Sequence, residues 1–327
     1  MAAPKLDEFE RIARFFAPLA APQALGLLDD VALIEGPPGR QYVLKTDGIV
    51  EGVHFLPDDP AEQVAQKLLR VNLSDLAAKA ALPLGYLLTT ALPRNRDEMW
   101  LEHFAAGLAR DQAEFGIALL GGDSMVTDGP VTLSLTAIGT VRKGEAVLRS
   151  GARPGDEVFV SGSLGDGALG LKVLRGNIAG LSEAERAYLI ERYRLPRPRL
   201  ALGQRLAGIA HSMMDVSDGL VADLGHICTA SRVGAEVQAA ELPLSAAAAV
   251  AIGATPALHF AALGGGDDYE LLLTAPPSAA PTLARLAAET GVALTRIGRI
   301  VREPRGVRVF DRQGLPIQVP SGGYRHF

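Results

Sequence analysis

Hydrophobic positions along the chain recur with two periods. From Pro60 onward apolar residues fall at Val64, Leu68 and Val71, the three- and four-residue steps of a helix. The preceding DPAE puts Asp59 at the N-cap, Pro60 at the first helical position and Glu62 where a capping box wants it. Period-two alternation marks Val131–Val141 (VTLSLTAIGTV) as a strand, and VALI (Val31–Ile34), QYVLKT (Gln41–Thr46), LGYLLTTAL (Leu84–Leu92) and IALL (Ile117–Leu120) read as further strands. A helical stretch runs from about Asp97 to Phe115. This half is a mixed α/β pattern with acids gathered where strands stop, and loops at strand ends are where sites usually lie.

The step after Val71 lands on Asp75, inside VNLSDLAAKA (Val71–Ala80), so a carboxylate occupies a core position. An isolated buried charge is expensive, and such a group protonates, pairs with a base or holds a cation. The alternative is a break in the helix, with Ser74 or Asp75 capping a second one.

Near Ser150 the texture changes. SGARPGDEVFVSG packs Gly151, Pro154, Gly155 and Gly162 around one short strand, which places a boundary between an N-terminal domain, 1–148, and a C-terminal domain, 149–327. The second half reads as strand Glu157–Ser161, helix Asp166–Arg175, a helical region to about Ala210, the segment MMDVSDGLVADLGHI, Ala-rich helices, GGGDDYELLLT, a helix at Thr282–Thr290 and strands near Ile297 and Val309. The expected class is α+β in two domains.

A chain of 327 residues accommodates about two domains. One cysteine, Cys228, excludes a disulfide framework and fits a reducing, cytoplasmic compartment, and no Cys/His cluster suggests zinc. The amphipathic, acid-bearing N-terminus is unlike a signal peptide, and the Ser245–Gly266 run reads as short helices, not a membrane span. A formal net charge of −5 argues against nucleic acid.

Five acidic clusters stand beside small residues or at element ends: Asp29-Asp30, Asp47, Asp75, Gly121-Gly122-Asp123 and Asp215-Val216-Ser217-Asp218-Gly219. Each alone is explained by a cap or a turn. Together, as hard oxygen donors without Cys or clustered His, they point to magnesium, which typically serves bound phosphates. No Walker A loop is present, and the glycines of Gly162–Lys172 serve a strand-to-helix turn as readily as an anion. Arg149 can reach a phosphate from between the domains or stay solvated, and the basic run Glu191–Leu200 reads as a solvated loop. His54, in EGVHF, either contacts a substrate or packs.

The ordered set DDVAL (Asp29–Leu33), KTDGIVEGVHF (Lys45–Phe55), NLSDLAA (Asn72–Ala78), LGGD (Leu120–Asp123), LRSGARPGD (Leu148–Asp156), DVSDGLVADLGHI (Asp215–Ile227), GGDDYEL (Gly265–Leu271) and terminal GYRHF resembles bacterial thiamine-monophosphate kinases, of the superfamily that holds aminoimidazole ribonucleotide synthetase. The resemblance implies that fold, a homodimer with the Val131–Val141 strand pairing across it, and ATP and thiamine monophosphate as substrates. It implies several Mg2+ ions on Asp30, Asp47, Asp75, Asp123, Asp215 and Asp218, with Thr46 and a Lys45 backbone oxygen assisting. Gly122, Asp123, Arg149 and Ser217 would contact nucleotide, and His54, Asp267, Ser321 and Tyr324 the thiamine phosphate. Three places depart from the family's usual pattern: Leu28 replaces a glycine, Lys79-Ala80 replaces Met-Gly, and Ser321 replaces a larger residue. No nucleophile or general base is expected, so transfer would be direct. The rival readings are another ATP-using member of the superfamily, or a non-catalytic protein that binds magnesium or nucleotide.

Overall fold

The helix expected from Pro60 forms over Ala61–Ala78 (α1) in the computed structural model, which describes residues 10, 12–303, 305–320 and 323. Its start differs by one residue from the expected one. Pro60 is the N-cap, with no side-chain cap bond. Asp59 is engaged elsewhere, accepting from the Leu56 N–H at 2.8 Å and pairing with Arg194 at 2.6 Å. Glu62 pairs with His103 and Arg110 and does not reach back to a cap. The helix does not break at Ser74, so Asp75 lies in its last turns.

Nearly every side of α1 is buried, because one continuous core holds it between the two halves. Val43, Leu133 and Leu135 from the first half and Leu200, Leu202, Met213 and Leu273 from the second all belong to that core. Several of its polar residues find distant partners. Gln66 and Arg70 meet the buried Asp111 of helix α2 (Glu98–Phe115), at 2.7 Å each. The Asn72 amide donates to Leu68 O, and its oxygen accepts from the Asp47 N–H at 3.0 Å.

The first sheet joins β1 (Ala32–Glu35), β2 (Arg40–Val50), β3 (Leu82–Pro93), β4 (Ala118–Thr127) and β5 (Thr132–Arg142) in the order β1-β2-β5-β3-β4, with only β3 and β4 parallel. Two expectations are corrected here. Asp47 and Asp123 lie inside strands, not where strands stop. And β5 is bonded along its length to β2 on one side and β3 on the other, so it has no free edge with which to pair across a dimer. The edge strands are β1 and β4, and β4 exposes Leu119, Leu120, Met125 and Val126.

The second sheet has seven strands: β6 (Glu157–Ser161), β7 (Ser212–Asp215), β8 (Gly234–Gln238), β9 (Leu271–Ala275), β10 (Leu294–Val301), β11 (Gly306–Phe310) and β12 (Pro316–Ile317), in the order β12-β11-β8-β10-β6-β9-β7. Helices α3 (Asp166–Leu174), α4 (Glu183–Arg194), α5 (Leu200–Gly203), α6 (Leu220–Ser231), α7 (Ala246–Ala254), α8 (His259–Gly264) and α9 (Ala280–Thr290) surround it. Edge strand β7, buried throughout, carries Asp215 towards α1, which meets the α5 turn at Gly203; a Cβ there would stand 2.1 Å from Ala77 O.

Candidate active site

Three carboxylates from three elements meet between α1 and the two sheets. Asp30 precedes β1, Asp75 lies on α1 and Asp215 ends β7; one oxygen of each lies within 4.8 Å of the others. Asp47 of β2 joins them through Lys45, whose ammonium is 3.2 Å from Asp47 and 3.1 Å from Asp75. Lys45 and Asp47 share a sheet face because they are two residues apart on one strand. The Thr46 hydroxyl, on the opposite face, donates to Leu135 O at 3.2 Å. A cavity of about 320 Å³ opens beside it, lined by Asp29, Asp30, Lys45, Thr46 and Thr136.

Two more basic groups close on Asp30. Arg149 grips it through Nε, at 2.9 Å, and through Nη2; Lys79 reaches it at 2.8 Å and Asp29 at 3.0 Å. Burial alone would raise Asp30, but Lys79 and Arg149 override it and hold its carboxyl far below the ordinary range. The other two carboxylates go the opposite way. Burial, then the neighbouring carboxylates, lift Asp215 to about 6, and burial lifts Asp75 strongly although Lys45 opposes it. Lys45, buried, is raised chiefly by Asp75 and Asp47 against desolvation.

Five carboxylates (Asp29, Asp30, Asp47, Asp75, Asp215) thus face three basic side chains (Lys45, Lys79, Arg149). The uncompensated negative charge concentrates at Asp75 and Asp215. Beside them the buried Ser74 hydroxyl, near enough to Asp215 to lower it against its burial, finds no partner of ordinary hydrogen-bond geometry. A set of hard oxygens, two charges in excess and an orphaned hydroxyl fits a small divalent cation.

Ser217 and Asp218 follow β7 at the start of α6. The Asp267 N–H donates to Ser217 O and the Tyr269 N–H to Val216 O, each at 2.8 Å, so the Gly265–Tyr269 loop lies against them. Asp223 and His226 were not singled out from the sequence, although both stand in the DVSDGLVADLGHI stretch. Asp223 accepts from the Asp218 and Gly219 N–H groups, and Asp218, Asp223 and His226 form a second carboxylate–imidazole group. Burial, reinforced by Arg149, takes His226 down to about 4.

His54 and Asp267 are joined by Lys67, which no motif singles out. Lys67 of α1 donates to His54 O at 3.0 Å, lies 3.5 Å from Asp267 and sits 3.7 Å above the Tyr193 ring, whose hydroxyl also donates to His54 O. His54 Nδ1 accepts from the Val50 N–H at 3.0 Å. In the neutral ring this places the proton on Nε2, which can donate to a substrate oxygen.

Gly122 and Asp123 are not brought to the cluster within one chain. Asp47 is in register with Leu135, Leu88 and Gly122, whereas Asp123 is in register with Thr89, Ser134 and Gly48. Asp123 therefore lies on the opposite face from Asp47, three strands away, roughly 14 Å at ordinary strand spacing. Gly122 has a packing reason of its own: a Cβ there would stand 1.8 Å from Leu88 O. Ser321 and Tyr324 lie outside the described residues.

Profiles of AIR synthase related proteins match this chain, the N-terminal domain over residues 28–141 and the C-terminal domain over 153–311. A thiamine-monophosphate kinase of Caulobacter vibrioides is 43% identical, over 99% of this chain and 92% of its own length. One from Escherichia coli K12 is 41% identical, over 98% of each. Among solved structures, AaThiL complexed with AMPPCP and TMP aligns at TM-score 0.86 and 32% identity, over 100% of this chain and 99% of its own. Thiamine-monophosphate kinase from Stenotrophomonas maltophilia aligns at 0.78 and 42% identity, over 86% and 89%.

Proposed function

The chain belongs to the thiamine-monophosphate kinase family, and from that premise we propose how its residues divide the work of the reaction. The activity is transfer of the γ-phosphoryl group of ATP to the phosphate of thiamine monophosphate, giving thiamine diphosphate. The observation that carries the assignment of residues is the meeting of Asp30, Asp75 and Asp215, far apart in sequence, around uncompensated negative charge.

The acceptor is a phosphate whose second pKa is about 6, so near pH 7 it is mostly ionised and no general base is required. The obstacle is repulsion between two polyanions, about 1–4 kcal/mol for each close pair of unit charges at water-like to surface-like dielectric. Asp75, Asp215, Asp47 and Asp30, with Asp218 on the loop after β7, would hold magnesium, which when bound would neutralise phosphate charge and help align donor with acceptor. Arg149 offers a guanidinium between the halves to nucleotide phosphate, and Ser217 contacts nucleotide beside it. His54 donates from Nε2 to the acceptor's phosphate. Asp267, held by Lys67, faces the cationic thiamine. The transfer is direct, with no enzyme-bound phosphate. Residues 1–148 form the ATP- and magnesium-binding domain, and 149–327 complete the site.

A homodimer through the first sheet accounts for the two residues a single chain leaves apart. The β4 edge is unpaired, and Ile34, Leu87 and Met125 expose apolar surface on the same face as Asp123. A second copy bound there would present its own Asp123, with the Gly122 backbone beside it, to the Thr46 side of this chain's site, where the cavity opens. Among the described residues no helix is long and apolar enough to cross a membrane. The single cysteine of the sequence, Cys228, supports a reducing, cytoplasmic compartment.

The test incubates the protein with ATP, magnesium and either thiamine monophosphate or free thiamine. Thiamine diphosphate from the monophosphate alone is expected. Product from free thiamine would make the chain a pyrophosphokinase, and absence of any product would leave a binding protein.

A further inference from the structure

We propose that Lys79 is a positioning residue whose buried ammonium acts as a tethered cation, holding Asp29 and Asp30 and standing in for one ion that the phosphate site would otherwise require. The inference rests on the magnesium reading above.

Lys79 is fully buried at the end of α1. Its ammonium has three acceptors: Asp29 Oδ1 at 3.0 Å, Asp30 Oδ2 at 2.8 Å and Met213 O at 3.2 Å. These match its three N–H groups, so the group is saturated and rigid.

The position has two consequences. With Arg149 on the same carboxylate, both oxygens of Asp30 face fixed cations, so an entering ion meets Asp75 and Asp215 first. Met213 stands two residues before Asp215 on β7, so one ammonium ties the Asp29-Asp30 turn, the end of α1 and the Asp215 strand into a single geometry. Without Lys79 the five carboxylates would face two basic groups, and the site would have to draw further positive charge from solution. A methionine, an uncharged stem of about that length, would offer none of this.

The test counts ions on the full chain without nucleotide, using electron paramagnetic resonance of free Mn2+, for the wild type, Lys79→Met and the charge-balanced Lys79→Met/Asp29→Asn. Lys79→Met is expected to bind one more Mn2+ per chain than the wild type, and the double variant the wild-type number. The Mg2+ concentration for half-maximal turnover should rise about tenfold or more in Lys79→Met, with kcat largely recovered at saturation, because a fixed unit charge has been exchanged for one recruited from solution. Mg2+ should also raise the Tm of Lys79→Met by more than it raises that of the wild type. A folded Lys79→Met with an unchanged ion count, or one that stays unfolded at every Mg2+ concentration, would overturn the inference alone. A wild type that binds no Mn2+ would overturn the magnesium reading beneath it.

Discussion

Asp75 and Asp215 are ionisable groups placed where folding disfavours their charge, which is a mark of function more than of stability. Replacing Asp75 by Asn removes a charge that burial and Asp215 oppose, while Lys45 keeps Asp47 at 3.2 Å. Asp75→Asn should therefore leave Tm unchanged or higher in thermal unfolding, yet lower kcat by at least about 100-fold, the usual loss when a pre-placed electrostatic group is removed. Equal losses of turnover and of folded protein would take Asp75 out of the mechanism. Asp215 makes a pH prediction. Its folded pKa, about 6, lies above the ordinary 3.8, so between these values the folded chain binds more protons than the unfolded one. Stability then falls as pH rises through that window, by about 3 kcal/mol in all at 1.36 kcal/mol per pKa unit. In chelator-containing buffer, denaturant titrations should show Asp215→Asn gaining on the wild type from pH 4 to pH 6.5 and levelling above; a constant difference would mean that Asp215 is not strained.

At the scale of elements, the α1–α5 contact is where backbone proximity sets the site. Gly203 lets α5 approach Ala77, two residues past Asp75, and a Cβ at Gly203 would meet a carbonyl that cannot step aside without moving the helix. Gly203→Ala should lose about 1–3 kcal/mol in chemical denaturation, as overpacked sites do, with turnover reduced beyond what the folded fraction explains. Unchanged stability would show that the contact relaxes freely. The same helix marks the limit of what the chain discloses before folding. Strands such as Thr132–Arg142 and Glu157–Ser161 were legible because alternation or a bounded apolar run is a local signal. Asp75 was legible as a misplaced charge, and most of the proposed ligand set came through resemblance. The surroundings of α1 were not legible. A helix read as one-sided proved buried on nearly all sides, because Lys67, Arg70, Asn72 and Lys79 find partners at Asp267, Asp111, Asp47 and Asp30 that no local period reveals. The capping misreading at Asp59 has the same origin, since Arg194 lies far along the chain.

Over the whole molecule, the placement of Asp123 decides between a complete site in each chain and a site shared by two. The face of the first sheet that carries it is turned away from Asp47, Asp75 and Lys45, and no rotamer spans three strands and the thickness of a sheet. If a second copy supplies it, Asp75→Asn and Asp123→Asn remove functions from different chains of one site. Each homodimer would then be inactive at both sites. Mixing the two variants equally and allowing exchange places one copy of each in half of the dimers. Every mixed dimer has one site with both defects and one with none, so activity should recover to about a quarter of the wild type, the yield expected of sites shared across a two-fold interface. Charging the interface with Met125→Asp should abolish that recovery and shift the protein to monomer in sedimentation. No recovery from a demonstrably mixed dimer would mean that Asp123 serves the sheet and not the phosphates, and would return the chemistry to the carboxylates that a single chain gathers.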